Sequence, residues 1–205
     1  MAKELNSKYW NKTVMITGAS SGIGKGLALE IAARGGRLGL LARREDLLND
    51  IVDQIKAQGG VAIAVSADVR DAQAVRAAAD KIRAELGPID VMIANAGVGT
   101  SNHASQLNPD QVADVININV LGAVNSVAAV APEMVERKSG QLVAISSLAG
   151  YRGLPKSAAY CASKAAMSSF FESLRIDLRR NGVTVNVIYP GFIKTPLTSG
   201  RAAKM

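Results

Sequence analysis

Tyr160 and Lys164 stand four residues apart in a segment of helical pattern, and together they hold the makings of an acid–base catalyst. At that spacing two helical side chains share a face, with Cβ atoms ~5–6 Å apart. A free phenol gives up its proton near pH ~10, too high for easy exchange at neutral pH. An adjacent ammonium favours the phenolate and draws that value toward the range where acid–base catalysis is efficient. Taken alone, the spacing describes an exposed Tyr/Lys pair on a helix surface better than it describes a catalyst. Its meaning rests on the surroundings. Ser146 and Ser147 close an apolar run shortly before the pair, and a hydroxyl at a strand's carboxyl end can polarise a carbonyl oxygen. Asn119 lies inside another apolar stretch, where a buried amide needs partners, whether for packing, capping or chemistry.

The second constellation is Thr17-Gly18-Ala19-Ser20-Ser21-Gly22-Ile23-Gly24. Glycines let a backbone turn sharply and approach a ligand, while a helix N-terminus presents unpaired N–H groups and a positive dipole end. Where such a turn joins the first strand to the first helix of a doubly wound sheet, it forms a pyrophosphate site. A tight turn with no ligand is the structural alternative.

These groups need a scaffold that places them on one rim, and the chain's patterning predicts it. Short continuous apolar runs occur at Thr13–Thr17, Arg37–Leu41, Val61–Val65, Ile89–Ala94, Gln141–Ile145 and Val183–Tyr189. Runs of that kind suit strands covered on both faces. Helical periods lie between them, such as Leu47, Leu48, Ile51, Val52 and Ile55. Asn108-Pro109 reads as an N-cap with Pro at the first helical position, and Asn181-Gly182 as a left-handed helix stop. Strand–helix alternation with right-handed crossovers gives an α/β, doubly wound parallel sheet.

With these elements in place, five ordered motifs resemble the short-chain dehydrogenase/reductase family: Gly18-xxx-Gly22-x-Gly24, Asp68-Val69, Asn95-Ala96-Gly97, Ser147…Tyr160-xxx-Lys164, and Pro190-Gly191-Phe192-Ile193-Lys194-Thr195. The resemblance spans roughly residues 10–197. It implies a three-layer Rossmann fold with strand order 3-2-1-4-5-6 and an oxidoreductase that interconverts a carbonyl and an alcohol. It also implies that Asn119, Ser147, Tyr160 and Lys164 are catalytic. The family's thirteen-residue interval before the tyrosine selects Ser147 over Ser146. Gly18, Ser20, Ser21, Gly22, Ile23 and Gly24 would then surround the cofactor's pyrophosphate. Asp68 and Val69 would meet adenine, Asn95, Ala96 and Gly97 would border the ribose, and Lys164 with Tyr160 would hold the nicotinamide ribose. Pro190, Gly191, Ile193 and Thr195 would clamp the carboxamide. Asp68 has a structural alternative as a turn or capping residue.

The choice of dinucleotide follows from the end of the second strand, Leu40-Leu41-Ala42-Arg43-Arg44. An acidic residue there would bind the adenosine ribose hydroxyls and select NAD. Ala42 takes that place, and a guanidinium pairs bidentately with phosphate. Arg43, with Arg44 beside it, therefore favours the 2′-phosphate of NADP(H). Glu45 and Asp46 open the next helix.

Composition excludes several other classes. One cysteine, Cys161, and one histidine, His103, leave no disulfide framework, no multi-cysteine metal site and no Ser-His-Asp triad, so no metal is expected. Cys161 reads as filler beside Tyr160, and His103 as a solvated loop residue. Lys and Arg number 24 against 17 Asp and Glu, yet the bases are scattered and aromatics few, which does not describe a nucleic-acid binder. The opening MAKELNSKYWNK has no apolar signal core, and no uninterrupted apolar run approaches the ~18–20 residues of a membrane span. The expectation is a cytoplasmic protein of one domain, residues 1–205, without the family's usual substrate-covering segment and last strand, so that the sixth strand is left at an edge. By the resemblance it is a homodimer or homotetramer. A catalytically silent dinucleotide-binding protein on the same fold is the alternative.

Overall fold

The six apolar runs become six parallel strands: β1 Thr13–Thr17, β2 Arg37–Ala42, β3 Val61–Ser66, β4 Val91–Ala94, β5 Gly140–Ile145 and β6 Val183–Ile188. They form one sheet in the order β3-β2-β1-β4-β5-β6, as expected for this fold. The computed structural model describes residues 9–101 and 103–198. Expectations for the first eight residues, for Asn102 and for the chain after Thr198 lie outside the described residues.

Six helices cover the sheet: α1 Gly22–Ala33, α2 Glu45–Ala57, α3 Ala72–Leu86, α4 Pro109–Ile116, α5 Gly122–Glu136 and α6 Ala158–Asp177. Successive strand residues point to opposite faces, and the two apolar cores follow that alternation. Val14 and Ile16 of β1 pack with Ile31 of α1 and Leu48, Ile51 and Ile55 of α2. Met15 packs on the other face with Ile82 of α3, Val127 and Val130 of α5, and Met167 and Phe171 of α6. Phe171 is fully buried; cutting such a ring to alanine costs about 3–5 kcal/mol.

Local punctuation behaves as read. The Asn108 side chain accepts the Asp110 and Gln111 N–H groups and caps α4, and Gly182 turns the chain at φ +68°. Strand boundaries differ from the apolar runs by one residue in β2, β3, β5 and β6 and by two in β4. β4 begins at Val91 rather than Ile89, because the Asp90 carboxylate takes the Thr13 N–H at 3.0 Å and faces Lys12 and Arg137. β5 ends at Ile145, so Ser147 lies beyond the strand rather than at its last position. Its partner β6 ends at Ile188, just before Pro190, and the last contacts there are Ser146 N–H to Ile188 O and Leu148 N–H to Pro190 O.

One irregularity escaped the apolar period. Residues Asn117–Leu121 form a π-helical turn, closed by the Gly122 N–H donating to Asn117 O, and it joins α4 to α5 without a break. The resulting helix, Pro109–Glu136, is long and apolar enough to cross a membrane by length and composition. Val115, Ala123, Val127, Val130 and Met134 are buried within the protein, so it is a core helix.

Candidate active site

The carboxyl ends of all six strands open toward one cleft, and the winding reverses between the adjacent strands β1 and β4. The crevice at such a switch point is where open α/β sheets bind ligands. Its floor is built by bracing the two central loops against each other. Thr17 Oγ1 accepts the N–H groups of Asn95 and Ala96, each at 3.1 Å. Asn95 Nδ2 donates back to Thr17 O at 2.9 Å and to Gly18 O at 3.1 Å. Gly18 turns at φ +65°, and a Cβ there would sit 2.7 Å from Ala96 Cα. Gly24 lies one layer beneath the turn, where a Cβ would strike Gly18 O and come within 2.6 Å of Asn95 Nδ2. Gly18, Ser20, Ser21, Gly22 and Ile23 line the cleft; Gly24 supports it from below. Helix α1 opens with no side-chain cap and no acidic residue in its first turn, which leaves its positive end to an anion.

At one end of the cleft Ala42, Arg43, Arg44, Asp68 and Val69 come together. Arg44 donates to the hydroxyls of Ser20 and Ser21 at 2.9 and 3.0 Å, so it reaches across to the glycine turn. Arg43 is largely exposed, its guanidinium 3.9 Å from Asp68. Arg70 grips Asp68 through several hydrogen bonds, the shortest 2.7 Å, and continues to Asp114 of α4. That grip holds the Asp68 carboxyl below the ordinary carboxylate range. Arg70 was not singled out by the sequence; its place two residues after Asp68 was the available signal.

At the other end stand Ser147, Tyr160 and Lys164, with Pro190, Gly191, Ile193 and Thr195 as the facing wall. The two serines have separate fates. Ser146 is buried and spends its hydroxyl on Lys164 O at 3.1 Å and Ser168 Oγ at 2.8 Å. Ser147 lines the cleft, and its hydroxyl accepts the Ala149 N–H at 3.2 Å. Tyr160 and Lys164 are not a surface pair. Lys164 is 4% exposed, donates to Ile145 O at 2.8 Å and lies 5.8 Å from the Tyr160 ring centroid. Burial of its ammonium lowers its pKa to about 8.

Asn119 lies behind this wall, fully buried. Its Oδ1 accepts the Val98 N–H at 2.8 Å, and its Nδ2 donates to Val98 O and to Ser163 Oγ, both at 2.9 Å. Ser163 donates in turn to Tyr160 O at 2.7 Å. The position a residue-97 Cβ would occupy is 3.3 Å from Asn119 Oδ1 and 3.6 Å from Lys164 Nζ, so glycine there lets both groups converge. The sequence reading overlooked Ser163. It sits three residues after Tyr160, close to the same helix face, which was the signal to use.

The profile of the family described as short chain dehydrogenase matches residues 12–205. The chain belongs to the short-chain dehydrogenases. An uncharacterized oxidoreductase of Myxococcus xanthus is 48% identical over 188 residues, which are 92% of this chain and 74% of that protein. Among solved structures, a short-chain dehydrogenase/reductase from Burkholderia phymatum in complex with NAD superimposes with a TM-score of 0.90 at 31% identity, over 97% of this chain and 72% of that one. A metagenomic short-chain oxidoreductase in complex with NADP gives 0.84 at 32%, over 90% and 84%. This short-chain dehydrogenase is thus an oxidoreductase on a Rossmann-type sheet, and its relatives include both NAD and NADP complexes.

Proposed function

We propose that this chain interconverts a carbonyl and an alcohol using NADP(H), with Tyr160 as the acid–base group. The observation that carries the reading is Lys164: a buried ammonium with pKa lowered to about 8, beside Tyr160, at the end of a cleft that begins at an uncapped helix N-terminus. The residues present suit a dinucleotide. The open end of α1 and the glycine turn would hold the pyrophosphate, and Asp68 and Val69, at the same end of the cleft as Arg43 and Arg44, would meet adenine. Ala42 supplies no carboxylate to the ribose, while Arg43 and Arg44 offer guanidinium to a 2′-phosphate. When bound, the nicotinamide supplies or accepts the hydride.

The protein's own groups then handle the oxygen and the proton. Ser147 donates a hydrogen bond to the substrate oxygen and strengthens as negative charge grows there. Tyr160 gives its phenolic proton to that oxygen in reduction and takes it back in oxidation. Lys164 favours the resulting phenolate, in surroundings dry enough to make the charge effective. Both amide hydrogens of Asn119 are used by Val98 and Ser163. Its part in the relay is therefore to hold the loop after β4 against α6.

Tyr160→Phe keeps the ring and removes the exchangeable proton. Loss of reduced-nicotinamide oxidation across a carbonyl panel, with NADPH binding retained, is the expected result. Substantial turnover by this variant, against an active wild type, would overturn the assignment.

A further inference from the structure

We infer that the substrate of this site is an apolar carbonyl compound carrying an anionic group. The inference rests on the oxidoreductase reading above and concerns the mouth of the cleft. The loops leaving β4, β5 and β6 are residues 95–108, 146–157 and 189–198 of the sequence, and residues 95–98, Ser146, Ser147, Pro190, Gly191 and Ile193 at their starts line the cleft together with Tyr160. None of the chain's 17 Asp and Glu residues falls in them, while Arg152, Lys156 and Lys194 do. Those three cations are exposed, and none forms an ion pair among the described residues. Glu172 of α6 accepts the Tyr189 hydroxyl at 3.3 Å, and Asp110 in the first turn of α4 follows the first loop, its N–H held by Asn108.

The same loops expose large apolar groups. Leu148, Tyr151 and Leu154 are 56%, 58% and 42% exposed, and Ile193 and Leu197 are 44% and 45% exposed. They are joined rather than scattered. Leu148 is tied by its N–H to Pro190 O, and its Cδ1 is 3.6 Å from where a Gly191 side chain would begin. The Tyr151 ring packs on Tyr189 with centroids 4.7 Å apart, and Leu154 N–H reaches Sγ of Cys161, next to Tyr160. Ile193 and Leu197 line the cleft itself. An apolar patch rimmed by charge and continuous with a catalytic cleft marks where the non-reacting part of a substrate lies. Apolar area removed from water supplies affinity, and the cations supply preference for a negative end.

The experiment is calorimetric titration of the protein, with and without saturating NADP+, using octanoate, octyl phosphate, 2-octanone and xylulose. The expected order places at least one of the two anions tenfold or more tighter than 2-octanone, and 2-octanone tighter than xylulose. Whichever anion binds tighter identifies carboxylate or phosphate as the natural group. Arg152→Glu combined with Lys194→Glu should erase the tenfold ratio of anion to ketone. Equal binding of anions and 2-octanone, tighter xylulose, or a ratio untouched by the double charge reversal would overturn the inference. Turnover is read separately with 3-oxooctanoate. Binding in the expected order without any NADPH oxidation would leave the substrate class standing and refute the catalytic reading.

Discussion

Lys164→Met should make the protein more stable while disabling it. The wild-type ammonium is 4% exposed, has one backbone acceptor and no carboxylate partner among the described residues. Its pKa falls from 10.5 to about 8, and at ~1.36 kcal/mol per unit that burial costs the fold about 3 kcal/mol at pH 7. Methionine has similar length and no charge to desolvate. It loses the hydrogen bond to Ile145 O, a net contribution of about 1 kcal/mol. The expected gain is about 1–2 kcal/mol at pH 7, or roughly 2–8 °C in Tm for a chain of this size. The pH dependence gives a second check. A lysine whose folded pKa is depressed carries its full cost below about pH 8, where both states are protonated. Between that value and 10.5 the unfolded chain binds more protons, so wild-type stability rises relative to the variant; above it the difference reduces to the lost hydrogen bond. Urea unfolding of both proteins at pH 7, 8.5 and 10 reads this directly. A variant less stable at pH 7, or an advantage that stays constant to pH 10, refutes the reasoning. Turnover should fall by at least about 10²-fold, the lower range for losing acid–base assistance.

Arg43→Ala should weaken NADPH binding by about 1.5–3 kcal/mol, the range for hydrogen bonds to charged groups, and leave NADH little changed; equal losses would mean that the arginine does not meet a 2′-phosphate. Arg44→Ala should additionally weaken NADH, because its guanidinium also positions Ser20 and Ser21, and fluorescence titration of both cofactors separates the two arginines. Ser147→Ala should lower kcat by about 10²–10³-fold with unfolding free energy within about 0.5 kcal/mol of wild type, whereas Ser146→Ala should cost about 1 kcal/mol of stability and little kcat; the reverse pattern would exchange the two serines' roles. Ser163→Ala should cost about 1–3 kcal/mol by leaving an Asn119 amide hydrogen unpaired and should lower kcat more than it alters KM, with Ser163→Thr recovering part of both.

The sheet was legible because β1, β2, β4 and β5 are largely buried on both faces, while the edge strands β3 and β6 are half exposed and were marked by apolar runs alone. Strand ends were less legible, since Ile89 and Tyr189 are as apolar as true strand residues and only Asp90 and Pro190 stop the ladder. The cleft residues were readable where spacing reports a shared face or a loop sits at a strand's carboxyl end. The surroundings of Lys164 were not. Four-residue spacing tells that it neighbours Tyr160, yet its burial depends on β5 passing close enough for Ile145 to offer a carbonyl, a contact across 19 residues. Arg44's reach to Ser20 and the convergence of Asn119, Gly97 and Lys164 are tertiary facts of the same kind.

The π-helical turn at Asn117–Leu121 sets a rotational phase. Val115 and Val127 are both buried, at 0% and 5% exposure, on either side of it. At about 100° per residue, twelve residues of unbroken α-helix would leave them about 120° apart around the axis. Absorbing one residue in the wider turn brings them back to about 20°. The turn thus acts as a one-residue gear: it carries Asn119 itself and keeps the buried faces of α4 and α5 in phase. Deleting a single residue there would turn the π turn into ordinary α-helix and keep that phase, so Val127, Val130 and Met134 would stay on the sheet, whereas one further residue continued as α-helix would swing all three about 100° away together.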